Sequence, residues 1–284
     1  MPSFEVPDVD LSQYSMRQLA VPPLVLLVVA LAVVGGSLAL TGWPADPGIE
    51  LTGGTELVVE SDASQSEIAG AFTEQPDSIR SIGTADDQYL VTFQAEDPTI
   101  SEDSDVQVEV VQSQSSSAAF AESTQQLAVV GVAVAFLGMS AVVFLLFRTF
   151  VPSIAVVLSA FSDIVVPVAL MNLFGIELSL GTIAALLMLI GYSVDSDILL
   201  NNHVLRRSGS FWESVHRAMR TGVTMTVTSI AAMAVMTVVA YVFGIELLTD
   251  IGVVLVFGLT TDLVNTYMMN VSLLRWYKFE GVAR

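Results

Sequence analysis

The sequence predicts an α-helical integral membrane protein with six transmembrane helices and one small α+β external domain between the first and second helices. Three observations predict it. Six apolar stretches, at about 21–42, 126–147, 151–173, 179–201, 221–243 and 249–272, each reach the roughly 20 residues that cross a bilayer. Residues 43–124 interrupt them with seventeen acidic residues against one base, Arg80. In a six-span arrangement Arg17, Arg148, Arg206, Arg207, Arg217, Arg220, Arg275, Lys278 and Arg284 all fall on one side, and only Arg80 falls opposite. Basic loops stay in the cytoplasm. The expectation is a multi-pass cell-membrane protein with both termini cytoplasmic and the 43–124 domain facing outward.

Residues 1–20 are short and polar, with Arg17 beside Glu5, Asp8 and Asp10. The run at 21–42 is too long, and its lead-in too acidic, for a cleaved signal peptide, so it reads as an uncleaved first span. In the external domain TELVVE (55–60) alternates as a strand does, 65–73 resembles a short helix, and QYLVTFQ (88–94) and VQVEVV (106–111) read as strands. A serine-rich turn at 112–120 leads back to the membrane. The remaining polar pieces are a cytoplasmic loop at 202–220 and a tail at 273–284.

Cysteine is absent, which excludes disulfides, thiolate metal sites and a cysteine nucleophile. The net charge of −19 with a single lysine, Lys278, fits a protein bathed in concentrated salt, where repulsion between carboxylates is screened; an ordinary acidic extracellular domain is the alternative. The charge argues against nucleic acid as a partner. No cofactor or metal is indicated, and His203 and His216 read as solvated loop residues.

Charged groups inside apolar helices are costly and mark function. Asp163 lies mid-span in 151–173, Asp195 and Asp197 in the inner half of 179–201, and Asp262 mid-span in 249–272; Arg220 opens the fifth span. Polar companions recur at helical spacing: Arg220, Thr224 and Thr228; Asp262, Thr266 and Asn270; Asp197 and Asn201. Such stripes form a polar seam away from lipid, and carboxylates with an arginine across a membrane suggest a proton or cation relay, centred on Asp195 and Arg220. The plainer alternatives are that Arg220 snorkels to the interface, that Asp163 and Asp262 only pack helices, and that Asp197 faces water. An internal echo accompanies the seam. FGIELS (174–179) recurs as FGIELL (243–248), and GYSVD (191–195) as GLTTD (258–262), as in a duplicated hairpin with a shared buried aspartate.

The block FSDIVVPVALMNLFGIELSLGTIAALLMLIGYSVDSDILLNNHVLRR (161–207) resembles the core of the SecF family of protein-export membrane subunits. GIELTGGTELVV (48–59) resembles the motif that opens the external domain of SecD and SecF, here Gly53, Gly54 and Thr55. Arg220-Thr221, followed by Thr224, Thr226 and Thr228, resembles the family's fifth span. The resemblance implies a non-enzymatic, RND-like protein that pairs with SecD and assists preprotein translocation through a SecY-type channel. It also implies ion coupling by a fourth-span carboxylate and a fifth-span arginine, and contact of the external domain with unfolded preprotein. One departure stands out: the family's functional aspartate falls on Ser196, with acids on either side at Asp195 and Asp197. Two other functions compete with ion-coupled export. One is a passive scaffold joining SecD to the channel. The other is an intramembrane aspartyl protease built on Asp195 and Asp262, against which stands the lack of that class's motifs.

Overall fold

The computed structural model describes residues 10–83, 87–101, 104, 106–206 and 209–281. Arg207, Arg284 and the first nine residues of the expected N-terminal segment lie outside them. Among the described residues, six helices are long and apolar enough to cross a membrane. The first is α1 (Met16–Thr41), started by a capping box between Ser15 and Gln18 and stopped by Gly42 at φ 82°. After the external domain come α4 (Ala118–Phe147), α5 (Phe150–Phe174), α6 (Leu180–Arg206), α7 (Phe211–Val242) and α8 (Glu246–Val264). The last continues through a π-helical turn (Asn265–Asn270) into α9 (Val271–Trp276).

Helices α5 and α6 are the most enclosed spans, whereas α1, α4 and α7 leave most of their surface uncovered. The central membrane core joins Val168, Met171, Ile183, Leu186, Leu189, Leu255 and Leu259 of α5, α6 and α8. Glycines let these helices approach: a side chain at Gly258 would strike Leu189, and one at Gly222 would strike the Tyr267 hydroxyl.

The external domain begins with a helical turn, α2 (Ile49–Thr52), and holds an antiparallel sheet in the order β2-β3-β1-β4. Its strands are β1 (Gly54–Glu60), β2 (Ser78–Ser81), β3 (Gln88–Phe93) and β4 (Glu109–Ser116), with α3 (Gln65–Gly70) after β1. Leu57, Val59, Ile68, Phe72, Val91 and Phe93 form its core. The Gly-Gly-Thr motif serves the join between membrane and sheet. At Gly54, with φ 120°, a side chain would strike the Phe93 carbonyl, and at Gly53, with φ 82°, it would crowd the Ala118 backbone. Thr55 donates its hydroxyl to the Glu96 carbonyl at 2.8 Å.

Several expectations are corrected. Strand β2 had no sequence signal, because its four residues, SIRS, are only partly buried. The last strand lies at 109–116, through the serine-rich stretch read as a turn; it is an exposed edge, so no apolar alternation marks it. The stretch 202–220 is mostly helix. Ser210 caps α7 by accepting from the Glu213 N–H, and Phe211, Val215 and Ala218 pack on Leu200, Val204, Val271 and Leu274. His203 is therefore a buried helical residue, its Nδ1 2.8 Å from the Leu199 carbonyl, and not a solvated one.

A candidate ion site of buried carboxylates

Three carboxylates converge inside the membrane portion. Asp163 of α5, Asp197 of α6 and Asp262 of α8 are 1%, 0% and 2% exposed. The Ser193 hydroxyl donates to Asp163 Oδ2 at 2.5 Å, and the Asn265 amide donates to Asp163 Oδ1 at 2.6 Å. Asp197 Oδ1 accepts from Thr266 Oγ1 at 2.9 Å and from the Asn270 amide at 2.8 Å. The Ser196 hydroxyl lies 2.9 and 2.8 Å from the two oxygens of Asp262. Thr266 Oγ1 also lies 3.1 Å from Asp262 Oδ1, so one hydroxyl bridges two carboxylates on two helices.

Local structure sets this up. Ser193 and Asp197 are one turn apart on the α6 face that also buries Leu200 and Val204. On the last span, the π-helical turn brings Asn265 to Asp163 while Thr266 and Asn270 reach Asp197. In α5, Pro167 has no N–H to donate to the Asp163 carbonyl, which loosens the helix beside the cluster. All the named partners are neutral. Around them Asp197 Oδ2, Asn265 Oδ1, Asn270 Oδ1 and both amide atoms of Asn201 find no protein partner among the described residues, and the buried Ser159 hydroxyl lies beside Asp163 and Asp197.

The expected Asp195–Arg220 couple is not formed. Successive α-helical positions turn by about 100°, so residues two apart face nearly opposite ways; with Asp197 turned inward, Asp195 is exposed. Arg220 is exposed on α7 and makes no ion pair with a carboxylate among the described residues. Thr221, Thr224 and Thr228 also lie on the exposed side of α7, their hydroxyls donated to carbonyls four residues back. Asp195 and Asn202 line a groove of about 380 Å³ with Ser196, Gly222, Thr226 and Asp262. The hairpin echo therefore holds for the turns but not for the surroundings of the acids: Asp262 is buried among its hydrogen-bond partners, whereas its counterpart Asp195 is exposed. Sequence reasoning missed Ser193, Ser196, Asn265 and Ser159. The available signal was a small polar residue one turn or less from each buried acid.

Fold and site together define a polytopic membrane protein whose polar chemistry lies between its third, fourth and sixth spans. The family model described as protein export membrane protein SecD/SecF, C-terminal, matches residues 97–280. The protein-export membrane proteins SecF of Haloferax volcanii and Haloquadratum walsbyi are 66% and 59% identical to this chain, each match covering 100% of both sequences. That of Pyrococcus furiosus is 36% identical over 93% of each. The crystal structure of SecDF, a translocon-associated membrane protein from Thermus thermophilus, matches with a TM-score of 0.71 and 20% identity, covering 96% of this chain and 39% of that one. The chain belongs to the SecF family of protein-export membrane proteins. It is thus a multi-pass membrane component of protein export and not an enzyme, and the two most similar of these relatives come from halophilic archaea, as the acidic composition leads one to expect.

Proposed function

We propose that the chain couples preprotein export to a cation gradient, with Asp163, Asp197 and Asp262 as the carrier site, in partnership with SecD and a SecY-type channel. The observation that carries this reading is the Thr266 bridge. One hydroxyl oxygen lies 2.9 and 3.1 Å from two carboxylates but has a single hydrogen to donate, in a cluster that has only neutral partners. A proton on one of the two carboxyls can be donated to Thr266 Oγ1 while the Thr266 hydroxyl donates to the other, which satisfies all three groups; its loss leaves one carboxylate facing the bridge without a donor. Sodium ion is the alternative carrier, held by the same carboxylates and the unpartnered amide oxygens. Either way, three acids without a countercharge need a cation inside a bilayer.

Asp195, Arg220, Thr221, Thr224 and Thr228 belong in this reading to the face that SecD covers. Lipid is a poor neighbour for an exposed aspartate and arginine at membrane depth, whereas a second polar helix pairs with them. The basic-side rule supports cytoplasmic termini and an outward domain at 43–124, where emerging unfolded preprotein is met. The test is export by cells carrying Asp197→Asn or Asp163→Asn. The expected result is normal insertion, normal recovery with SecD and lost export support. Full export in both variants would leave the scaffold role as the better account.

A further inference from the structure

The two FGIE turns are built alike. Gly175 and Gly244 take φ 68° and 67° after the helices they end, and in each the next residue's N–H bonds five residues back, Ile176 to Met171 and Ile245 to Ala240. The repeat thereby places Glu177 and Glu246 equivalently at the outer ends of the α5–α6 and α7–α8 hairpins. Both carboxylates meet on one residue of the external sheet. Arg80, on edge strand β2, reaches Glu177 at 3.0 Å and Glu246 at 3.1 Å with Nη2, and donates from Nη1 to the Gly175 carbonyl at 3.1 Å. The three side chains are only 31%, 19% and 25% exposed. The close approach continues at Gly83, where a side chain would crowd the Gly244 backbone and the Tyr241 carbonyl.

We propose that Arg80 is a latch that closes the external domain onto both membrane hairpins, and that its release lets the sheet swing on its Gly53–Gly54 joint. Three features make it releasable. A single guanidinium holds two carboxylates, so its withdrawal leaves them neighbours without a countercharge. Elsewhere the sheet is joined to the membrane portion at the glycine joint, at Ser117, which caps α4, and by a long contact of 3.5 Å from the Gln114 amide to Glu50 of α2. The linker before it is anchored separately, Gly48 donating to the Leu178 carbonyl at 3.0 Å and Leu178 to that of Asp46 at 2.6 Å. The gripped hairpins are the ones that carry Asp163, Asp197 and Asp262, so domain position and carboxylate cluster share a mechanical frame. The latch itself holds whatever those carboxylates bind.

The cysteine-free chain permits a direct test. Spin labels on Cys substituted at Ser66, exposed on α3, and Leu247, exposed on α8, report the distance between domain and hairpin in the purified full-length protein at high salt. The expected result is one narrow distance population. Arg80→Gln and the double variant Glu177→Gln/Glu246→Gln each shift the ratio of open to closed forms by about tenfold or more. Should Arg80→Gln fail to insert, the double variant decides. Distributions unchanged from wild type in the variants that insert, or a broad population already in the wild type, would overturn the latch.

Discussion

Replacing Thr266 by valine keeps shape and removes one hydroxyl, so it isolates the bridge between Asp197 and Asp262. The hydroxyl has a single hydrogen, and it therefore donates to one carboxylate at a time even though both lie within 3.1 Å. Its loss costs one hydrogen bond to an acid, about 1.5–3 kcal/mol, and not two. That is a roughly 10- to 150-fold change in the unfolding equilibrium. Reversible unfolding in mixed micelles measures it. Thr260→Val is the control, because Thr260 is exposed and its hydroxyl serves only the Val256 carbonyl at 2.7 Å. In an Asp262→Asn background the bridge has one charged end left, so the same substitution should show a coupling of about 1 kcal/mol. A Thr266→Val protein within about 0.5 kcal/mol of wild type, or strict additivity with Asp262→Asn, would refute the shared-hydroxyl argument.

Further expectations follow from other contacts. The Glu56 carboxyl, half-buried on β1, is raised from 4.5 to about 7, chiefly by burial and then by the charges of Glu177, Glu50 and Glu246. Its folded form holds the proton more tightly, so its contribution is fully present below about pH 4.5 and is lost as pH rises through about 7. Glu56→Gln should equal wild type near the low end and gain ~1–2 kcal/mol above neutrality after allowance for solvent, as read by denaturant unfolding over pH. Gly222→Ala should cost ~1–3 kcal/mol in the same unfolding assay, since its new methyl meets the Tyr267 hydroxyl. Asp195→Asn and Arg220→Met should leave the isolated chain's stability within ~0.5 kcal/mol, both being exposed, yet lower SecD recovery with a tagged protein.

Much of the architecture was legible because it rests on strong signals. A run such as 151–173 has no soluble reading, and Asp163 inside it has no cheap one. What sequence could not settle was which way a helix turns. Asp195 and Asp197 carry the same chemistry two residues apart, and only packing against α5 and α8 shows that Asp197 faces inward. The π-helical turn was equally hidden, because spacing arguments assume 3.6 residues per turn and this stretch departs from it. Strand β4 escaped because an exposed edge rich in serine and glutamine carries no burial pattern. The FGIE echo was visible as letters, but its meaning needed Arg80, about 95 residues from the first turn it grips.

The central claim is that the Asp163–Asp197–Asp262 cluster carries the cation that drives export. The most direct measurement is preprotein translocation in membrane vesicles, with and without an imposed gradient, for wild type and Asp197→Asn side by side. The account predicts that the gradient accelerates wild-type translocation, that an ionophore abolishes the acceleration, and that Asp197→Asn translocates at the collapsed-gradient rate throughout. Equal acceleration of wild type and Asp197→Asn by the gradient would contradict it.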